Sequence, residues 1–186
     1  KLTMLRVILV PVFMVFAALS NYGTAGYNET FMLLAGIVFA AASFTDFLDG
    51  YLARKYHLVT DFGKFMDPLA DKCLTTAAFI YMVADGICSP VVLAVILFRE
   101  FAVAGVRMIA AESGTVIAAN IWGKVKTVLQ MLTILFYYFA AALGSPSDVL
   151  GVGLVTMALT WLVAAVTLLS GGIYLWQNRA CFMQAK

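Results

Sequence analysis

The sequence predicts an all-α, polytopic membrane protein: six transmembrane helices around a polar pocket open to the cytoplasm. Of its 186 residues, 63% are hydrophobic and only 12% are charged, against ~25% charged in an ordinary soluble domain. Mean hydropathy is +0.97, more apolar surface than one soluble core can hide, so the solvent must be lipid. The third observation is positional: Lys and Arg gather at alternate connectors and at the termini. A spanning helix needs ~20 apolar residues, so this length holds about six spans. Residues 1–186 are therefore read as a single transmembrane domain.

Apolar runs and breakers place helices at 3–20, 30–56, 62–85, 90–113, 120–143 and 149–178. The first residues, Lys1-Leu-Thr-Met-Leu-Arg6, lead into the apolar run of the first helix. It is longer than a signal-peptide core and lacks a small-residue cleavage site, so it is read as a span whose natural start has been trimmed. Asn21-Tyr-Gly-Thr-Ala-Gly26 separates it from the second helix, which carries Asp46, Asp49 and Arg54. The third carries Asp67 and Asp71 and ends at Asp85-Gly-Ile-Cys-Ser-Pro90. The fourth bears Arg99, Glu100 and Arg107, the fifth opens with Lys124, Lys126 and Thr127, and Gly144-Ser-Pro-Ser-Asp148 precedes the sixth. These connectors carry turn chemistry.

Arg54, Lys55 and Lys64 flank the second connector, and Arg107, Lys124 and Lys126 flank the fourth. Lys1, Arg6, Arg179 and Lys186 lie toward the termini, whereas the first, third and fifth connectors offer only Glu29, Asp85 and Asp148. The positive-inside rule then puts both termini and the even connectors in the cytoplasm, which requires an even number of spans. A net charge of +2 is too small to argue for nucleic acid. Cys73, Cys88 and Cys181 show neither disulfide nor zinc spacing and read as lipid-facing or packed thiols. His57, the sole histidine, reads as a solvated or interfacial connector residue.

Most ionisable groups away from the termini fall at the cytoplasmic ends of spans two to five. Isolated charges in hydrocarbon are costly, so these should face one another or a water-filled cavity. An ion-coupled transporter would instead spread its acids through the membrane depth. Asp46 and Asp49 share a helix face at i,i+3, as do Asp67 and Asp71 at i,i+4. The connector between them reverses the chain, so the two pairs can converge. Four such carboxylates repel unless cations intervene, and all-oxygen ligation suits Mg²⁺ or Mn²⁺. Two ions ~4 Å apart are a common device for displacement at phosphorus. Gly50, one residue after Asp49, admits close approach of a nucleotide or else packs helices through small residues. Arg54 suits a fork on phosphate or a topological anchor.

The pattern D-x2-D-G-x2-A-R-x8-G-x3-D-x3-D is matched at all eight fixed positions, from Asp46 to Asp71. It resembles the signature of the CDP-alcohol phosphotransferases. That resemblance implies a six-helix homodimer with two metal ions, Mg²⁺ or Mn²⁺. It also implies transfer of a phosphatidyl group from a CDP-linked lipid to an alcohol, releasing CMP. Carried over by position, it makes Asp46, Asp49 and Asp67 metal ligands and Asp71 both ligand and general base. Gly50, Arg54 and Thr60 would contact the CDP moiety.

The acceptor is read from the remaining cations. Arg99 and Arg107, eight residues apart, lie roughly on one helix face, and Lys124 shares a face with Thr127. These exceed what a metal-bound CDP needs, which favours a phosphorylated alcohol over free serine, choline or ethanolamine. Topological anchoring is the rival reading for Lys126, and Glu100 beside Arg99 reads as a paired charge that orders the pocket. Thr3-x-x-Arg6, Arg99-Glu-Phe and Gly123-Lys-Val-Lys-Thr127 together resemble the bacterial phosphatidylglycerophosphate synthases, a branch of that family. The branch implies a bacterial cytoplasmic (inner) membrane enzyme acting on CDP-diacylglycerol and sn-glycerol 3-phosphate. Arg107, Lys124 and Lys126, with Arg6 and Arg99, are then the expected clamp on the acceptor phosphate. Inositol phosphate and phosphatidylglycerol are the alternative acceptors. In the sixth helix, Gly151, Gly153, Gly171 and Gly172 suit close packing, while Trp161, Tyr174 and Trp176 suit interface anchoring.

Overall fold

The structure, a computed structural model, describes the backbone of residues 2–20, 27–56, 61–112, 121–143 and 149–179. Side chains are described for residues 7–20, 27–45, 72–108, 110, 121–143 and 151–179. All elements among the described residues are helices: α1 Leu2–Ser20, α2 Glu29–Tyr56, α3 Asp61–Ala84, α4 Pro90–Glu112, α5 Ile121–Leu143 and α6 Val149–Gln177.

Local chemistry explains the observed ends. Asn28 caps α2, its Oδ1 accepting from the backbone N–H of Thr30 at 3.0 Å and of Phe31 at 3.3 Å. Ser89 caps α4 through the N–H of Val91 at 3.3 Å, with Pro90 at the first helical position, where a missing N–H costs nothing. Between them, Gly86 adopts φ of 75°, and the N–H groups of Ile87 and Cys88 both donate to the Met82 carbonyl at 3.0 Å. Only glycine enters that left-handed conformation without a Cβ penalty.

α1 packs on α2 and α3, α2 also lies on α5, and α6 bridges α4 and α5. Phe13 is the hub of the core, edge-on to Phe39, Tyr81 and Tyr138 at centroid distances of 5.8, 6.3 and 5.4 Å. Gly36 permits the α2–α5 approach, since a Cβ there would stand 3.1 Å from that of Tyr138.

The outside is more apolar than the inside in places. Phe98, Phe101, Met108, Leu143 and Trp176 are each at least 70% exposed. α6 is inverted relative to a soluble helix. Its buried stripe holds Thr156, Thr160, Thr167 and Ser170, while Leu154, Trp161, Leu162, Leu168 and Leu169 face outward. Thr156 and Thr160 satisfy their hydroxyls on the carbonyls of Val152 and Met157, at 2.7 and 2.8 Å. Small and polar inside, large and apolar outside, is the pattern of helices that pack in lipid. Among the described residues, 121–143 and 151–177 are long and apolar enough to cross a membrane.

Candidate functional site: a cation-lined pocket

The expected aspartates lie on two helices that touch: Asp46 and Asp49 in α2, Asp67 and Asp71 in α3. Their side chains lie outside the described residues, as do those of Arg6, Gly50 and Arg54, and Thr60 and His57 lie outside altogether. Among the described residues, no three His, Cys, Asp or Glu converge on a metal site. The described site begins one residue past Asp71, at Lys72.

From Lys72 to Tyr174, side chains of α3, α4, α5 and α6 enclose a cavity of about 390 Å³. Arg99, Arg107, Lys124, Lys126 and Thr127 all line it, so four of the five expected clamp cations come together. Helical register is the cause. Arg99, Val103 and Arg107 repeat every four residues along α4, and Lys124 and Thr127 are three apart on α5. Among the described residues, five cations line the cavity against one carboxylate, Glu100.

Glu100 organises the floor. Its Oε2 accepts from Lys72 Nζ, and its Oε1 accepts from Lys126 Nζ and, at 3.3 Å, from Arg99 Nη1. The Lys126 side chain is only 4% exposed and lines the pocket. A buried ammonium needs a partner, and Glu100 supplies it. Arg99 continues past Glu100 to donate from Nη2 to Ser170 Oγ at 2.6 Å. At the exposed end, Arg107 Nε donates to Tyr174 Oη at 3.3 Å, with its guanidinium 5.7 Å from the ring centroid.

Sequence reasoning gave no role in the site to three of these groups: Lys72, Ser170 and Tyr174, the last read as an interface anchor. Lys72 had one signal, its place directly after Asp71. Ser170 and Tyr174 had another: two hydroxyls one turn apart in a very apolar helix.

A second cavity, of about 600 Å³, adjoins the first through Lys72, Glu100, Lys126 and Thr127. Its wall is otherwise largely apolar, including Val10, Met14, Phe79, Ile80, Leu93 and Phe101. A cation-lined compartment thus abuts an apolar one.

The fold and the site define an all-helical protein with a cationic pocket set against apolar, lipid-compatible surface. Comparison with known proteins refines that class: the chain belongs to the CDP-alcohol phosphatidyltransferase family, whose model matches residues 1–169. It is 38% identical over 185 residues to a CDP-diacylglycerol–glycerol-3-phosphate 3-phosphatidyltransferase of Bacillus subtilis, covering 96% of this chain and 93% of the relative. A protein of the same name from Rickettsia bellii is 38% identical over 143 residues, covering 76% and 77% of the two chains. Another from Rickettsia felis is 36% identical over 174 residues, covering 93% and 90%.

Proposed function

We propose that the protein transfers the phosphatidyl group from CDP-diacylglycerol to sn-glycerol 3-phosphate, yielding phosphatidylglycerophosphate and CMP. The observation that carries the acceptor is the convergence of Arg99, Arg107, Lys124 and Lys126 on one pocket. An acceptor without its own anion would not need them. The relatives' names supply the same pair of substrates.

Asp46, Asp49, Asp67 and Asp71 would hold two divalent ions, Mg²⁺ or Mn²⁺. The donor set fits hard cations, being carboxylate oxygen throughout, drawn from two helices in contact. When bound, such ions neutralise the pyrophosphate and stabilise the departing CMP. Gly50, Arg54 and Thr60 border the CDP moiety in this reading. The Asp71 carboxylate takes the proton from the C1 hydroxyl of glycerol 3-phosphate, whose oxygen forms the new P–O bond as the bond to CMP breaks. Arg107 and Lys124 hold the acceptor phosphate, Arg99 and Lys126 form its floor, and Arg6 is the fifth member of the clamp. All six helices span a bacterial inner membrane as one domain over residues 1–186, both termini and the pocket on the cytoplasmic side, and two copies form a homodimer.

Arg107→Ala tests the clamp. It should raise the KM for glycerol 3-phosphate about tenfold, the scale of one lost charge-assisted bond, while the KM for CDP-diacylglycerol stays nearly constant. Equal rises for both substrates contradict the assignment.

A further inference from the structure

We infer that the inward face of α6, through Ser170, Gly171 and Tyr174, positions both pocket arginines, and that Gly171 decides whether Arg99 can serve the acceptor phosphate. This rests on the proposed reading of the pocket as the acceptor site.

The Arg99 side chain is only 10% exposed. Its Nη1 donates to Glu100 and its Nη2 to Ser170, but the buried Nε has no hydrogen-bond partner among the described residues. Two of the five guanidinium N–H groups are engaged by Glu100 and Ser170, and Arg99 lines the cavity, so a remaining Nη donor can meet an incoming acceptor oxygen. What holds it there is missing bulk. A Cβ at Gly171 would stand 2.8 Å from Arg99 Cγ, and one at Gly123 would stand 3.4 Å from Nη2. Arg99 therefore passes between a glycine of α6 and a glycine of α5.

The Gly171 contact is the decisive one. Cγ is placed by χ1 alone, so the far end of the side chain cannot swing aside to relieve a clash. An alanine at 171 forces Arg99 out of its rotamer and takes the guanidinium from Ser170 and from the cavity together. One turn further along the same face, Tyr174 receives the Arg107 Nε bond and sets its ring beside the guanidinium. α6 thus holds the two α4 arginines from the opposite wall, as positioning residues and not catalytic ones. Gly172 supplies an internal control: a Cβ there meets nothing within 4 Å.

Initial rates of purified Gly171→Ala and Gly172→Ala, with both substrates varied, test the inference. Gly171→Ala should raise the KM for glycerol 3-phosphate about tenfold and that for CDP-diacylglycerol by less than about twofold; Gly172→Ala should change neither. Ser170→Ala, which adds no bulk, should move the same KM in the same direction by about threefold. It carries the test if Gly171→Ala is not recovered folded. Acceptor KM values equal to wild type in Gly171→Ala and Ser170→Ala, or a fall in kcat alone, overturn the role of α6. A wild-type protein that ignores glycerol 3-phosphate but uses another acceptor overturns the functional reading instead.

Discussion

At the scale of single residues, Glu100 is the centre of the described site. One carboxylate accepts from Lys72, Arg99 and Lys126, which come from three different helices. Replacing it with Gln would strand the ammonium of Lys126, whose side chain is 4% exposed. Removing one member of such a buried pair typically costs about 3 kcal/mol. Glu100→Gln should therefore lower the thermal unfolding midpoint in detergent. Glycerol 3-phosphate should restore more of that loss than it adds to wild type, because its phosphate becomes the missing counter-ion. An unchanged midpoint would show that the network contributes nothing to the fold. Spacing made Arg99 with Arg107, and Lys124 with Thr127, legible as two same-face pairs, since helical periodicity is a local property. The partners of Glu100 were only partly legible. Its neighbour Arg99 was visible in the chain, whereas Lys72 and Lys126 meet it through tertiary packing that one sequence does not display.

Among the elements, helix limits followed closely from sequence, because apolar runs end at Asn28, Gly86 and Pro90 for local reasons: capping, a positive φ and a missing N–H. The role of α6 was not legible. Its four candidate glycines look alike in sequence, yet a Cβ at Gly171 meets Arg99, one at Gly153 meets Ile87, and those at Gly151 and Gly172 meet open space. Its aromatic residues divide as well, with Tyr174 buried and Trp161 and Trp176 exposed. The turn between α3 and α4 carries its own prediction. Burial pushes the Asp85 carboxyl up to about 6, against the Tyr137 hydroxyl, which donates to it at 2.6 Å and pulls the other way. The folded value lies above the ordinary 3.8. Its contribution to stability is thus fully present below about pH 4 and lost as pH rises through about 6. The unfolding midpoint should fall across that interval, and Asp85→Asn should flatten the fall. A variant that tracks wild type at every pH would contradict this.

For the whole molecule, the same physics sets both architecture and site. An apolar exterior of Phe98, Phe101, Leu168 and Leu169 suits hydrocarbon, and it leaves the cations no favourable place but a shared polar cavity. That cavity opens beside an apolar one and starts one residue after Asp71. In the proposed reading, a lipid-borne donor and a soluble anionic acceptor meet where these two cavities adjoin. The family was legible from eight fixed positions between Asp46 and Asp71. From the residues alone the acceptor was legible only as surplus charge, because a cation's position in the chain does not say which anion it faces; the choice of glycerol 3-phosphate came from the resemblance carried by Thr3-x-x-Arg6, Arg99-Glu-Phe and Gly123-Lys-Val-Lys-Thr127. The most direct test is CMP release by the purified protein from CDP-diacylglycerol with Mg²⁺ or Mn²⁺, across glycerol 3-phosphate, inositol phosphate, phosphatidylglycerol and free glycerol. The account predicts CMP and phosphatidylglycerophosphate with glycerol 3-phosphate and little turnover with the other three. Product from inositol phosphate or phosphatidylglycerol, and none from glycerol 3-phosphate, would contradict it.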